Sequence, residues 1–334
     1  MAYRSTWEGL GDPMLDGMSE ANGPGARWAS MGLGRSNSSV SMRQRTLKAP
    51  IDCSGVGLHS GAAIAMKLRP ADPDTGILFR RIDLKNGARD IPARFDAVCD
   101  TRLCTTLSND HGTRLGTVEH LMAALHGCGI DNAVIELDGP EVPIMDGSSE
   151  PFVFLIECAG TVEQAAPRRT VLVRRPVVVE ENGARAALEP AEGFTISLDI
   201  EFASRAIGRQ ELFLEVSRDS FRNQICRART FGFLHEVEAL RAAGLARGGS
   251  LENAVVVDGD TVLNDDGLRY EDEFVRHKVL DCIGDMALAG HAVTGHLRAR
   301  RTGHGLNNRL LRALFADEAN YAIVPVDELA AATV

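Results

Sequence analysis

From Thr46 onward, apolar and polar positions alternate in short runs, LKAPIDCSGVGLHSG, AAIAMKLRP and TGILFRRIDL, split by Gly, Pro and Asp. That period of two predicts short strands joined by tight turns. RFDAVCDTRLCTTLS adds a further strand region before the turn at Gly112 to Gly116. The period changes at Thr117: Val118, Leu121, Met122 and Leu125 follow the i, i+3, i+4, i+7 rule, so a helix is expected, ended by Gly127 and Gly129. Val134 to Leu137 reads as a strand, Asp138-Gly139-Pro140 as its turn, and Asp146 or Ser148 as the cap of a second helix with Pro151 in its first turn.

The second half repeats this plan. TVLVRRPVVVEE, ARAALEP and FTISLDIEF read as strands, and a strand, helix (Leu234 to Ala243) and strand follow as an inserted element. A long helix spans Glu271 to Ala289, then a strand (Val293 to Arg298), a Gly-His-Gly turn at 303–305 and a closing helix from Asn307 to Phe315. Two halves that each open with a meander and close with helices predict an α+β fold of two similar domains, each a mixed sheet layered against paired helices. The expected boundaries are a disordered extension over 1–45, a first domain over 46–162, a linker over 163–169, and a second domain over 170–320 with its insert near 230–263. A C-terminal tail is expected over 321–334. The first 45 residues are rich in Gly, Ser, Asn and Met with no stable period, and both tryptophans, Trp7 and Trp28, lie among them.

Composition narrows the function classes. The 334 residues carry 36 basic and 46 acidic side chains, a net charge of −10, so no general electrostatic pull toward nucleic acid or anionic membrane is expected. No apolar run is long enough to span a bilayer and no secretory signal is evident, which predicts a soluble cytoplasmic protein. Seven Cys without a C-x-x-C pair fit a reducing compartment.

The chemistry gathers on the long helix. His277, Asp281 and Asp285 are spaced four apart and form one stripe, with Val275, Val279, Ile283 and Ala287 beside it. The apolar stripe would dock on a core while the polar one borders it. A His and an Asp one turn apart can reach one metal ion or can simply pair as ions. Glu119-His120 is a second helical acid and imidazole pair. Joining His120 to His277 and Asp281 gives a His₂Asp set with a fourth position open, the catalytic pattern of Zn²⁺. Glu119, next to a ligand but free, is then placed to take a proton. His304 sits between two glycines where backbone can approach a substrate, and Asp285 could hold its ring in one tautomer. Gly55, Gly57 and Gly61 let the chain bend sharply around His59.

TVEHLMAAL, PIMDGS, RARTFGF, GGSLENAVVVD, VRHKVLDCIGD and GHGLNN, in order between about Thr46 and Asp317, together resemble the UDP-3-O-acyl-N-acetylglucosamine deacetylases, zinc amidases of lipid A synthesis. The resemblance implies two domains with the active site between them and a monomer acting on a small-molecule acylated UDP-amino sugar. It implies that His120, His277 and Asp281 bind zinc, that Glu119 is the general base and that His304 is its protonated partner, backed by Asp285. It further implies that Thr230 contacts the oxyanion and Lys278 the charged part of the substrate. Phe231 and the insert would line the acyl passage, His59 and Cys104 would lie near the mouth, and His59 and Gly303 would bind substrate. The chain departs from the pattern in its long N-terminal extension and in Gly305, where a small side chain is common. A zinc-stabilised nucleotide-sugar binding protein, or a hydrolase of another N-acyl sugar, would use the same ligands. Only the first of these gains nothing from Glu119 and His304.

Overall fold

The computed structural model describes residues 41–85 and 88–329, so residues 1–40 of the expected extension, Trp7 and Trp28 among them, lie outside the described residues. The first half runs β1 (Arg43–Leu47), β2 (Ile51–Val56), β3 (Ala63–Pro70), β4 (Ile77–Arg81), β5 (Asp90–Pro92), β6 (Val98–Asp100), β7 (Thr106–Ser108), β8 (Arg114–Leu115), α1 (Glu119–Gly127), β9 (Ala133–Leu137), α2 (Glu150–Ala159) and β10 (Thr161–Pro167). Its main sheet has the order β2-β3-β9-β4-β5, with β4 and β9 parallel and the other neighbours antiparallel. Alternation decides the register: in β3, Ile64, Met66 and Leu68 face the core while Ala63 and Ala65 face out.

The second half runs β11 (Arg169–Val173), β12 (Val177–Glu181), β13 (Ala184–Glu189), β14 (Phe194–Glu201), β15 (Arg209–Glu215), the one-turn α3 (Arg218–Ser220), β16 (Phe231–Phe233), α4 (Leu234–Ala242), β17 (Val255–Asp258), β18 (Thr261–Val262), α5 (Glu273–Ala287), β19 (Ala292–Arg300), α6 (His304–Phe315) and β20 (Tyr321–Pro325). Its seven-stranded sheet is built around β19, which pairs with β11, β13 and β14. Among the named strands no sheet takes members from both halves. Even so, one contiguous apolar core runs through both, from Leu68 and Ile135 to Ile196 and Leu297.

Four boundaries differ from those expected of the sequence, the first being the extension over 1–45, whose last three residues already belong to β1 and pair with β10. Residues 163–169 are not a free linker: β10 pairs antiparallel with β1, and β11 begins at Arg169. Backbone that leaves one sheet here satisfies its hydrogen bonds on the strand that opened it. Residues 321–325 are not a tail, because β20 pairs with β11 along Arg169 to Val173 and so covers an edge of the second sheet. The Gly-His-Gly segment is not a turn ahead of α6: Gly303 is its extended N-cap, Asn307 N bonds Gly303 O, and His304 opens the helix. The second helix begins at Glu150, whose N–H is accepted by Ser148 Oγ, itself braced by Asp146.

What positions the site is the packing of α1 against α5. Gly284 makes it possible: a Cβ there would lie 2.1 Å from the backbone oxygen of Glu119. Gly127 does the same for the ring of Phe221 at the far end of α1. Helix α5 is buried almost all round, twelve of its fifteen residues, so its polar stripe lies inside the protein and not at a border of the core.

Candidate metal centre and active site

Glu119 and His120 open α1, and the chain enters that helix through Thr117, a non-glycine residue at φ 59°. Such a conformation persists only where neighbours hold it, and the Thr117 hydroxyl donates to buried Glu141. The entry aims both side chains at α5. His120 Nε2 comes to 3.7 Å and His277 Nε2 to 3.4 Å from the same oxygen, Asp281 Oδ1. The ligand atoms of the three residues lie within 4.8 Å of one another, and all three side chains are buried. The two imidazoles meet edge to face.

Their protonation suits a cation. Burial, and next the neighbouring His277, pull His120 down to about 3, and burial likewise lowers His277, so both rings are neutral. His277 Nδ1 faces the carbonyl of Ala228 at 3.1 Å. That carbonyl can only accept, so the proton sits on Nδ1 and the lone pair of Nε2 is turned to the centre. Burial pushes the Asp281 carboxyl upward, but His277 and Lys278 outweigh it and hold the group below the usual carboxylate range. Lys278 Nζ donates to Asp281 Oδ2 at 3.1 Å. Oδ1 is left buried with no hydrogen-bond partner. An orphaned carboxylate oxygen faced by two neutral ring nitrogens is unsatisfied by protein alone and fits a divalent ion.

A second cluster adjoins the first. Glu119 Oε2 accepts the Thr105 N–H, while Oε1 stands 3.8 Å from His304 Nε2. Burial raises the Glu119 carboxyl to about 7. For His304 burial works the other way, but the Asp285 carboxylate at 2.9 Å from Nδ1, together with Glu119, outweighs it and lifts the ring to about 10. Asp285 is fixed in turn by Thr105 Oγ1 at 2.7 Å and Asn307 Nδ2 at 2.8 Å. The result is a carboxyl and an imidazolium across a gap of less than two hydrogen bonds, the first able to gain a proton and the second to lose one.

Of the residues singled out in sequence, the fold thus gathers Glu119, His120, His277, Asp281, Asp285 and His304. Lys278 and Phe231 border them: the Phe231 ring lies 6.2 Å from that of His277 and 5.6 Å from Lys278 Nζ. Thr230, between Arg229 and Phe231 in the chain, donates its N–H to Gly147 O. Gly303 precedes His304 with open space where a Cβ would be. His59 stands apart, its N–H on Glu141 and both ring nitrogens buried without a partner. Cys104 is buried against Thr106, and burial pushes its thiol up to about 12, which leaves it a neutral core group. Thr105, Asn307, the Ala228 carbonyl and Phe202, which meets Phe231 edge to face, were not singled out in the sequence. Asn307 lies in the motif GHGLNN and Ala228 in RARTFGF. A separate cavity of about 330 Å³, lined by Leu125, His126, Arg168 and His291 among others, contains none of these residues.

The family model for UDP-3-O-acyl N-acetylglycosamine deacetylase matches residues 44–316. The chain belongs to this family. It is an amide-hydrolysing enzyme, a deacetylase of lipid A biosynthesis. Among curated relatives, the UDP-3-O-acyl-N-acetylglucosamine deacetylase of Idiomarina loihiensis is 51% identical over 289 residues, 86% of this chain and 94% of that protein. Those of Shewanella sp. strain ANA-3 and Shewanella oneidensis are 51% and 50% identical over 287 and 293 residues, covering 85% and 87% of this chain and 94% and 95% of theirs. The match to this deacetylase family takes in both halves and every residue of the two clusters. No helix among the described residues is long and apolar enough to cross a membrane.

Proposed function

We propose that this chain hydrolyses the acetamide of UDP-3-O-((3R)-3-hydroxyacyl)-N-acetylglucosamine to acetate and UDP-3-O-acyl-glucosamine, the committed step of lipid A biosynthesis, with one zinc ion held by His120, His277 and Asp281. The observation that carries the metal is the buried, partnerless Oδ1 of Asp281 between two neutral imidazoles. Zinc bound there supplies Lewis acidity to the water and to the acetamide carbonyl. Glu119 takes the proton of the attacking water on Oε1, since its Oε2 is occupied by the Thr105 N–H. As the C–O bond forms, the Thr230 hydroxyl donates to the carbonyl oxygen that gathers charge. His304 then delivers its Nε2 proton to the departing nitrogen as the C–N bond breaks, while Asp285 holds Nδ1 and keeps the ring loaded until that moment.

In the same reading Lys278 meets the charged part of the substrate, Phe231 and the insert line the path of the acyl chain, and His59, near the mouth, and Gly303 bind substrate. A two-domain division between Pro167 and Arg169, a cytoplasmic location and a monomeric state belong to the proposal as well. The separation of the sheets at Pro167 supports the first of these. The deciding experiment is deacetylation of the UDP-linked acylated sugar with and without a chelator. Turnover that survives complete removal of metal would defeat the zinc reading. Tight binding without turnover would favour a sugar-nucleotide binding protein instead, a role in which the empty Glu119 and loaded His304 have no use.

A further inference from the structure

Two buried charges that take no part in the proposed chemistry sit immediately behind the metal centre. Arg229 and Glu273 are 2% and 0% exposed. Glu273 Oε1 accepts both the backbone N–H and the Nε–H of Arg229, each at 2.9 Å, and Oε2 accepts the Arg269 N–H at 2.6 Å and Arg229 Nη2 at 3.2 Å. The remaining guanidinium donors reach Gly267 O and Asp266. Glu273 is the first residue of α5, one helical turn before His277. Arg229 is flanked by Ala228, whose carbonyl faces His277 Nδ1, and by Thr230, tied at N–H to Gly147 O and at C=O to Val255 N. The bonds close a ring: Glu273, one turn of α5, His277, the Ala228 carbonyl, and Arg229 back to Glu273.

We propose that Arg229 and Glu273 are positioning residues for the metal centre, a buried fork that fixes the 228–230 backbone on the first turn of α5 and so holds His277 in its Nδ1–H tautomer. The inference rests on the reading of His277 as a metal ligand. Its physical ground is the geometry of the fork. A carboxylate that binds both the main chain and the side chain of one residue fixes that residue's peptide planes, and the plane fixed here is the one whose oxygen faces the ligand. A lysine offers a point charge and cannot reproduce the planar grip. Outer partners of ligating histidines typically change metal affinity 10–100-fold when lost.

Arg229→Lys and Glu273→Gln keep volume and polarity and test the point in the full-length protein. Zn²⁺ affinity is read by competition with a chromophoric chelator, and the cobalt-substituted protein gives a ligand-field spectrum. The expected result is affinity weakened 10–100-fold with a shifted cobalt spectrum. The core variant Leu68→Ala, which loses thermal stability far from the centre, should keep both. Variants that lose stability but match wild type in affinity and spectrum would overturn the proposal and leave the pair a scaffold. Nitrogen-15 NMR of the His277 ring in metal-free protein needs no metal: wild type should show one tautomer, the variants a mixture. If wild type bound no zinc, the metal reading would fail, while this second readout would still decide the fork. Should one variant fail to fold, the other carries the test, and an unchanged tautomer in it overturns the proposal.

Discussion

Two helices of the second half, α4 and α5, obey opposite rules. Helix α5 buries twelve of fifteen residues, while α4 buries none of its nine. The polar side chains along the inner face of α5 are each tied down: His277 to Ala228, Lys278 to Asp281, Asp285 to Thr105, His304 and Asn307. The exception is Asp281 Oδ1, where a metal fits. Helix α4 stands on the short β16-β17-β18 sheet, and the loop after it touches the first half through Gly248 N on Leu58 O. A proton-transfer centre depends on tenths of an ångström, so its supports are redundant. A surface proposed to accept a flexible hydrocarbon needs area more than fixed geometry, and it is attached at its ends.

The largest effect should come from the α5 side. His277→Ala or Asp281→Ala should lose bound metal and activity together, because two ligands cannot hold a catalytic ion. Metal analysis and turnover on one sample check this. Full zinc occupancy in a triple variant at His120, His277 and Asp281 would place the ion elsewhere. No substitution confined to α4 should touch metal content.

Next come the proton handlers. Glu119→Gln and His304→Ala should each lower kcat/KM by about 10² or more while zinc stays bound. The pH profile follows from the two shifts. Glu119 must be empty, so activity falls toward acid as it gains its proton, at or below about 7, since a bound dication lowers the value held by burial. His304 must be loaded, so activity falls toward alkali as it loses its proton, at or below about 10, since the same dication favours the neutral ring. Asp285→Asn removes the chief support of the imidazolium and should bring the alkaline limb to lower pH. An unmoved limb would separate Asp285 from His304. These limbs belong to a coupled site, and the double variant at 119 and 304 should fall by less than the product of the singles.

Much of this centre was legible in the sequence because helices carry their own ruler. Spacing of four put His277, Asp281 and Asp285 on one face, and Glu119-His120 opened another periodic run rich in apolar residues. Backbone groups leave no mark in side-chain spelling, so the Ala228 carbonyl and the Thr105 N–H were beyond reach. Buried supports such as Arg229 and Glu273 read as ordinary surface charges until the fold encloses them. The misplaced boundaries share one cause. Residues 163–169 and 321–325 are polar or short, and their pairing depends on strands more than a hundred residues away. At α6 the glycines around His304 signal a turn, yet the helix can start there because Gly303 is extended.

A smaller effect concerns stability. At Gly284 a new Cβ would meet a backbone oxygen at 2.1 Å, where nothing yields without moving α1. Gly284→Ala should cost about 1–3 kcal/mol in denaturant unfolding and reduce activity by shifting Glu119. Gly244, just past α4, has φ 79° and nothing within 4 Å of its absent Cβ, so Gly244→Ala should cost only the left-handed backbone penalty, about 1 kcal/mol, with activity kept. Equal losses at the two sites would erase the contrast between the helices.

The smallest effect should appear only with the right substrate. Phe233 is half-buried beside Phe202 and His235, at the junction of β16 with α4. If the insert lines the acyl path, Phe233→Ala removes contact with methylenes and nothing else. Each methylene returned to water is worth about 0.8 kcal/mol, roughly fourfold in kcat/KM, so loss of one or two contacts predicts a fall of about 4- to 16-fold on the long-chain substrate. On an O-acetyl analogue, which has no chain to reach the insert, the same variant should match wild type. The loss should appear in KM more than in kcat, because chain burial is the same in ground and transition states. An equal fall on both substrates would mean that Phe233 acts through the edge-to-face pair of Phe202 and Phe231 on the position of His277, and the insert would then belong to the support of α5.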